Sequence, residues 1–258
     1  MPRFAANLST LFVEFEFLDR FEAAAEAGFK AVEIQFPYDY DKGRIADALA
    51  ANNLELVLHN LPSGNLEAGE RGLTCLPGRR NAYRDSVETA INFAGALGCP
   101  RLNSLIGVPG QDVDLDAVEQ TLIANLRHAA AALKKAGLTL LIEPVNDRDN
   151  PGYLLNRSAA ALAVIEAVGA DNLYLQFDCY HMQIMEGDLA RSLRVNAGRI
   201  GHIQIADNPG RHEPGTGEIN YPFLFSHLDD IGYSGWVGVE YHPLTTTLEG
   251  LGWIKPYL

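Results

Sequence analysis

The chain has 258 residues, of which 47% are hydrophobic and 21% charged, and its formal net charge is −13. That length is close to the ~250 residues of one eight-stranded α/β barrel, and the composition is typical of a globular protein with a sizeable core. No stretch is dense in Lys or Arg, so binding to nucleic acid or to an anionic membrane surface is disfavoured. A small anionic substrate remains compatible, because a few local cations or a metal can reverse the field inside a pocket.

The N-terminal segment and the cysteines bear on the compartment. The first residues, MPRFAANLSTLFVEF, lack the uninterrupted apolar core of a signal peptide, and no apolar run reaches the ~18 residues of a membrane span. Cys75, Cys99 and Cys179 are odd in number and widely spaced, which fits neither a disulfide framework nor a zinc ribbon. We therefore expect a cytoplasmic protein with reduced thiols.

Short apolar runs alternate with longer helical patterns along the whole chain. Strands are predicted at Phe4–Leu8, Ala31–Phe36, Glu55–His59, Arg101–Ile106, Leu138–Glu143, Leu173–Asp178, Ile200–Ile205 and Trp236–Tyr241. Helices between them include Asn81–Leu97, Leu115–Lys135, Ser158–Val168 and Phe223–Ile231. Gly98 and Gly137 follow two of these helices and are suited to cap them. Eight β-α alternations without a break in composition predict a single (β/α)8 TIM barrel spanning residues 1–258.

Each of the last four predicted strands carries one oxygen-bearing side chain near its C-terminal end. These side chains are Glu143, Asp178, Gln204 and Glu240, spaced by about one β-α unit. The C-terminal ends of the strands form the face where barrel enzymes keep their active sites. Any one of these residues alone would be read as an ordinary strand-end or loop residue, but four in register on consecutive strands indicate a site.

The alternation of side chains along a strand sharpens this prediction. In LYLQFDC, Gln176 shares a face with Asp178, and in GHIQIAD, His202 shares a face with Gln204. Apolar side chains would then cover the outside of the barrel, and the polar set would point into its mouth. Three carboxylates converging there would repel one another unless a cation lay between them. Oxygen ligands favour Mg²⁺ or Mn²⁺ over Zn²⁺, so the pattern predicts such a metal site.

Three further residues could contact a substrate. His181 lies three positions after Asp178 at a predicted helix start, and His59 ends the third strand. Either could bind substrate, or be an ordinary hydrogen-bonded histidine of the barrel mouth. Arg211 lies in the long loop after the seventh strand, where it could reach a substrate carboxylate as a bidentate donor. Such an arginine is more often a surface residue.

Several segments together resemble one known family, and the similarity runs over nearly the whole chain. The segments are FAANLSTLF, FPYDYD, LHNLPSGNLEAGERG, EPVND, DCYHMQIMEGD, GHIQIADNPGRHEPGTGEINY and GWVGVEYHP. In combination they resemble the hydroxypyruvate isomerase family, which is part of the xylose isomerase-like barrels. The resemblance implies that Glu143 and Glu240 are the catalytic acid–base pair. It also implies that Glu143, Asp178, Gln204 and Glu240 ligate a divalent metal, whose need in turnover stays open.

The resemblance implies interconversion of hydroxypyruvate and tartronate semialdehyde, and therefore a small anionic 2-oxo acid as substrate. Relatives that isomerise 2-oxo-tetronates share the same set of ligands and remain an alternative. So do ketose 3-epimerases, although in many sugar epimerases a histidine stands where Gln204 stands here. An endonuclease IV-like enzyme would need a histidine-rich, multi-zinc site, and seven histidines with a net charge of −13 argue against it. A metal-binding barrel without catalysis is the remaining alternative.

A three-carbon substrate needs a pocket closed by bulky groups or by a loop. Phe36, Tyr38 and Tyr40 follow the second strand, and the long segment Asn60–Arg80 follows the third. Long loops on the catalytic face often act as lids, so these segments are predicted to close the mouth and to set substrate length. They could instead pack on the barrel rim or on a neighbouring subunit of a homo-oligomer.

Overall fold

The computed structural model describes residues 1–65, 69–110 and 112–257, and its strands form one closed parallel barrel. Each strand pairs with the next along the chain, and the last pairs with the first. The strands are β1 Arg3–Asn7, β2 Ala31–Ile34, β3 Glu55–Asn60, β4 Arg101–Asn103, β5 Thr139–Ile142, β6 Leu173–Asp178, β7 Ile200–Ile205 and β8 Trp236–Val239. The prediction of a TIM barrel is therefore confirmed.

Helices follow the strands and cover the outside of the barrel. They are α1 Arg20–Glu26, α2 Lys42–Ala51, α3 Arg80–Leu97, α4 Leu115–Lys135, α5 Ser158–Val168, α6 Cys179–Met185, α7 Leu189–Asn196, α8 Tyr221–Asp230 and α9 Thr247–Gly250. Gly98 caps α3 with a φ of 66°, and Gly137 lies just beyond α4 with a φ of 74°, as the sequence predicted. Within the described residues, no helix is long and apolar enough to cross a membrane.

The strands separate apolar from polar side chains as the alternation predicted. Leu175 and Phe177 of β6 are fully buried in the apolar core outside the strands, where the helices pack. Burial of each such side chain contributes about 1.5–3 kcal/mol to folding. Gln176 and Asp178 are also buried, but they belong to a polar network inside the barrel. The larger core thus lies between barrel and helices, a smaller apolar cluster of strand residues lies apart from it, and the buried carboxylates gather inside the barrel.

The fourth strand is shorter than predicted and ends at Asn103. Beyond it, Ile106 pairs instead with Gly72 in an isolated antiparallel bridge. Gly72 has a φ of 130°, and a Cβ there would overlap the Leu105 carbonyl, so only glycine permits this approach. This bridge holds the loop after β3 against the end of β4, beside the mouth of the barrel.

Candidate active site

A cavity of about 230 Å³ opens at the C-terminal ends of the strands. Its lining includes four of the predicted site residues, Glu143, His181, Arg211 and Glu240. Nine more residues complete the lining: Gln35, Phe36, Asn60, Arg71, Leu105, Val145, Asn150, Tyr153 and Gln176. Of the four predicted strand-end residues, Glu143 and Glu240 line this cavity, whereas Asp178 and Gln204 are not among its lining residues.

Glu240 follows β8 and is held by four donors. Arg211 Nη2 and Gln35 Nε2 each donate to Oε1 at 2.8 Å. Gln204 Nε2 donates to Oε2 at 2.6 Å, and Asn7 Nδ2 donates to the same oxygen at 3.1 Å. These donors come from β1, the end of β2, β7 and the following loop, so the orientation of Glu240 is set from several sides.

Glu143 follows β5 and is held differently. Its Oε2 accepts hydrogen bonds from Asn103 Nδ2 at 3.0 Å and from Gln176 Nε2 at 2.9 Å. Its Oε1 lies 3.9 Å from His181 Nε2. Neutral amides thus hold one oxygen of Glu143, while the other faces the cavity side occupied by a histidine.

The carboxyl groups of the site are shifted toward their protonated forms. Burial raises the pKa of Glu143 well above its ordinary value, and the charges on Asp178 and Glu240 raise it further. Burial raises the pKa of Glu240 to about 7, against the opposing effect of the Arg211 guanidinium. A group poised near neutral pH can both take and release protons, which is what acid–base catalysis requires.

Asp178 ends β6 and supplies an unsatisfied oxygen to the site. Its Oδ1 accepts a hydrogen bond from Tyr180 N at 2.8 Å and so begins α6. Its Oδ2 is buried without a hydrogen-bond partner, 3.6 Å from His181 Nε2 and 3.8 Å from Arg211 Nη2. An orphaned buried carboxylate oxygen beside the Glu143 carboxylate is suited to a cation.

A buried group of three residues could hold a metal ion. Glu143, Asp178 and His181 each offer a ligand atom, and these atoms lie within 4.8 Å of one another. The amide oxygen of Gln204 is not free to bind a metal ion, because it accepts a hydrogen bond from Gln176 Nε2 at 2.5 Å. The amide nitrogen of Gln204 donates to Glu240. The four predicted ligands are therefore neighbours in one network, but Gln204 would have to exchange a partner before its oxygen could bind a cation.

The proton of His181 can be placed from its neighbours. Asn146 Oδ1 accepts from the backbone N–H of Arg148 and of Asp149, so its Nδ2 faces His181 and donates to Nδ1 at 2.7 Å. Burial lowers the pKa of His181 well below its ordinary value, so the ring is neutral. A neutral ring that accepts at Nδ1 has its proton on Nε2, on the side of Asp178 and Glu143, so in this tautomer His181 cannot itself ligate a metal. His181 is thus set to donate a hydrogen bond into the site.

Arg211 reaches the cavity from the loop after β7. Its backbone has a φ of 55°, and its guanidinium lies 5.1 Å from the centre of the Tyr180 ring. Besides the bond to Glu240, it has a buried Nε without a partner. A substrate oxygen could accept from this N–H, so the predicted substrate role of Arg211 fits its position.

His59 does not join the site, in contrast to the sequence prediction. The pairing of β2 with β3 shifts by one residue, so that Leu58 pairs with Glu33 and His59 with Ile34. His59 therefore points outward, where its Nδ1 lies 3.1 Å from the Tyr38 hydroxyl, and burial lowers its pKa to about 4. The next residue, Asn60, lines the cavity instead. A shift of one residue moves every side chain to the opposite face, and the sequence alone did not reveal it.

The predicted lid segments contribute in part. Phe36 lines the cavity, but Tyr38 packs on Phe93 and Tyr40 stacks on Phe17 with ring centres 4.0 Å apart. Of the segment 60–80, residues 66–68 lie outside the described residues. Its described part places Arg71 in the cavity wall, which the sequence analysis did not single out.

The sequence analysis also missed the amide residues that surround the carboxylates. Gln35, Asn60 and Asn103 occupy strands β2 to β4 or their ends, and each contacts or lines the site. A usable signal was present, because these residues follow the same rule of a polar side chain near the end of a strand.

The geometry predicts that Asp178 destabilises the metal-free fold. Its charge is buried among other acids, and burial raises its pKa, so its ionised form costs free energy on folding. Replacing Asp178 by Asn should raise the melting temperature in EDTA by at least ~2 °C. Because the folded-state pKa is raised, the gain should be small below pH 4 and larger at pH 8.

Differential scanning calorimetry of both proteins in EDTA at pH 4 and pH 8 measures this effect. Asp171→Asn is the matched control, since Asp171 is exposed and paired with Lys134 at 2.6 Å, and it should not raise the melting temperature. A lower melting temperature for Asp178→Asn at both pH values would show that Asp178 stabilises the metal-free barrel.

Comparison with known proteins places the chain in a family. The family model described as xylose isomerase-like TIM barrel matches residues 21–257. Hydroxypyruvate isomerase of Escherichia coli K12 is 52% identical over 257 residues, with 100% of both chains covered. A 2-oxo-tetronate isomerase of Cupriavidus necator is 50% identical over 258 residues, covering 100% of this chain and 99% of that one.

A solved structure agrees in fold along the full chain. The protein from Brucella melitensis described as AP endonuclease, family 2, is 48% identical, with a TM-score of 0.97 over 100% of this chain and 99% of that one. The sequence similarity, the family model and the fold agree with one another. The chain belongs to the hydroxypyruvate isomerase family of xylose isomerase-like TIM barrels.

Proposed function

We propose that this isomerase interconverts hydroxypyruvate and tartronate semialdehyde, with Glu143 and Glu240 as its acid–base pair. The observation that supports this most is that two buried glutamates from β5 and β8 line one cavity of about 230 Å³, each in a different set of hydrogen bonds. A cavity of that size suits a three- or four-carbon acid. Two differently held carboxyl groups suit a reaction that removes one proton and adds another.

The reaction moves two hydrogens and leaves the atom count unchanged. One glutamate takes a proton from C3 of hydroxypyruvate, which leaves an enediolate across C2 and C3. The other glutamate delivers a proton to C2, and the proton of the C3 hydroxyl passes to the C2 oxygen, so that C3 becomes an aldehyde and C2 carries a hydroxyl group. His181 Nε2 and Arg211 Nε are the donors placed to stabilise the oxygens of the enediolate.

A divalent metal ion fits the same site. Glu143 and Asp178 would hold it, with Glu240 and Gln204 as the further predicted oxygen ligands. Oxygen donors favour Mg²⁺ or Mn²⁺. When bound, such an ion would supply Lewis-acid stabilisation of negative charge on the substrate oxygens. The unpartnered Asp178 Oδ2 supports this assignment.

The described lining of the cavity includes two residues with a permanent positive charge, Arg71 and Arg211. Arg211 donates to Glu240, and Arg71 lies next to the bridge that Gly72 makes with Ile106, where its Nη1 donates to the Glu70 carbonyl at 3.0 Å. We propose that Arg71 contacts the carboxylate of the substrate. A protein with a net charge of −13 needs such a local cation to admit an anionic substrate.

An endonuclease is the alternative suggested by the name of the Brucella structure. Such an enzyme would need several metal-binding histidines and a surface that attracts DNA. His181 is the one histidine among the described residues that line the cavity, and the net charge is −13. The composition of the site and the charge therefore favour the isomerase.

Removing either glutamate should abolish most activity while keeping the fold. Glu143→Gln and Glu240→Gln should each lower kcat for hydroxypyruvate by at least ~100-fold, because each loses a positioned acid or base. Glu186→Gln is the matched control, since Glu186 accepts hydrogen bonds from Ser158 outside the cavity. Steady-state kinetics with and without EDTA makes the measurement, and near-normal kcat in a folded variant would remove that glutamate from the mechanism.

The choice between three and four carbons is tested with the wild-type enzyme. We expect a higher kcat/KM for hydroxypyruvate than for a four-carbon 2-oxo-tetronate, because the cavity is small and Phe36 lies in its wall. The opposite preference would assign the chain the activity named for the Cupriavidus relative. Turnover of neither compound would contradict the proposal as a whole.

Arg71 should control affinity and leave the chemistry largely unchanged. Arg71→Gln should raise KM for hydroxypyruvate by about 10-fold, the scale of one charge-assisted hydrogen bond, with kcat within about 3-fold of wild type. Arg80→Gln removes the same charge from a residue outside the cavity lining and should leave KM unchanged. An unchanged KM in Arg71→Gln would leave Arg211 to bind the carboxylate.

A further inference from the structure

Glu33 is a buried carboxylate inside the barrel that the proposed reaction does not use. It lies in β2 and is 1% exposed. A Cβ at position 238 would overlap its carboxyl group, so the glycine of β8 provides the space it occupies. Its Oε2 accepts a hydrogen bond from His202 Nε2 at 2.7 Å. The interior of the barrel is thus built to hold a carboxylate at this place.

The other oxygen of Glu33 determines how an amide is turned. Oε1 accepts from Gln204 Nε2 at 2.7 Å and from Asn7 Nδ2 at 2.9 Å. Gln204 Nε2 also donates to Glu240 Oε2 at 2.6 Å. Glu33 Oε1 and Glu240 Oε2 each also accept from Asn7 Nδ2, so both are acceptor oxygens and both amide hydrogens of Gln204 are directed at them. The reverse orientation would set the amide oxygen of Gln204 against two acceptor oxygens.

The orientation of this amide fixes a second one. Gln204 Oε1 must face away from Glu33, and it accepts from Gln176 Nε2 at 2.5 Å. The same Gln176 nitrogen donates to Glu143 Oε2 at 2.9 Å. A directed chain of hydrogen bonds therefore runs across the barrel interior from Glu33, through Gln204 and Gln176, to Glu143. Gln204 connects the same chain to Glu240.

We propose that Glu33 is a positioning residue that fixes the direction of the Gln204 and Gln176 amides. Both glutamates of the acid–base pair thereby receive an N–H donor and keep one orientation. The effect on catalysis rests on the proposed function, whereas the direction of the amides is a property of the folded chain and can be measured without turnover.

Two substitutions of Glu33 separate positioning from packing. Glu33→Gln keeps the shape but replaces one acceptor oxygen by an N–H₂ group, whereas Glu33→Asp keeps an acceptor-only group and is one methylene smaller. Positioning predicts that Glu33→Gln lowers kcat by at least ~10-fold, with KM for hydroxypyruvate within about 3-fold, and that Glu33→Asp keeps more activity. A role in packing alone predicts the opposite order. Glu186→Gln is again the matched control, with kcat unchanged.

Hydrogen exchange of side-chain amides provides a readout that does not depend on activity. In metal-free protein labelled with ¹⁵N-glutamine, the Gln204 amide of the wild type should exchange more slowly than that of the exposed Gln120. In Glu33→Gln it should exchange faster than in the wild type. The Gln204→Glu variant assigns the signal.

Each result of these measurements either supports or overturns the positioning role of Glu33. Equal exchange of Gln204 and Gln120 in the wild type overturns it, even if Glu33→Gln fails to fold. So does slow exchange that persists in Glu33→Gln with kcat unchanged. If the wild type turns over neither acid, the proposed function fails, and the change in exchange alone then supports or overturns the positioning role.

Discussion

Burial of several carboxylates in one small barrel mouth is the constraint on which the site depends. Glu33, Glu143, Asp178 and Glu240 are each 7% exposed or less. Removing an ionised carboxylate from water costs several kcal/mol, and like charges nearby add to that cost. Other interactions inside the barrel have to offset this cost. The hydrogen-bond donors on the neighbouring strands serve that purpose.

Neutral amides supply most of the compensation. Asn7, Asn103, Gln176 and Gln204 each donate from inside the barrel to at least one buried carboxylate. Amide donors stabilise an anion without a full positive charge, so Glu143 is held in place by Asn103 and Gln176 while its pKa stays raised. Arg211 is the exception, and it lies beside Glu240, whose pKa of about 7 is held down by that cation. The two catalytic candidates are thus distinguished by which of them accepts a hydrogen bond from the Arg211 guanidinium.

The sequence predicted the barrel and half of its polar interior for a physical reason. Strand ends that read LIEP, QFDC and IQIAD combine an apolar outward face with a polar inward one, and period-2 alternation reveals that directly. Glu33 could have been found in the same way, since it stands between Val32 and Ile34 in an otherwise apolar strand. Arg71 could not, because its place in the cavity wall follows from the contact of Gly72 with the end of β4, which joins parts of the chain that are distant in sequence.

The face of the barrel on which His59 lies could not be predicted from the alternation of side chains alone. Alternation gives the face of a side chain relative to its own strand, but it needs the register to give the face relative to the barrel. The irregular pairing between Val32 and Glu33 inserts one residue, after which Asn60 and Asn103 point inward as neighbours and His59 points at the helices. That shift exchanges a histidine for an amide in the site. His181 therefore remains the one histidine among the described residues that line the cavity, and burial keeps its ring neutral.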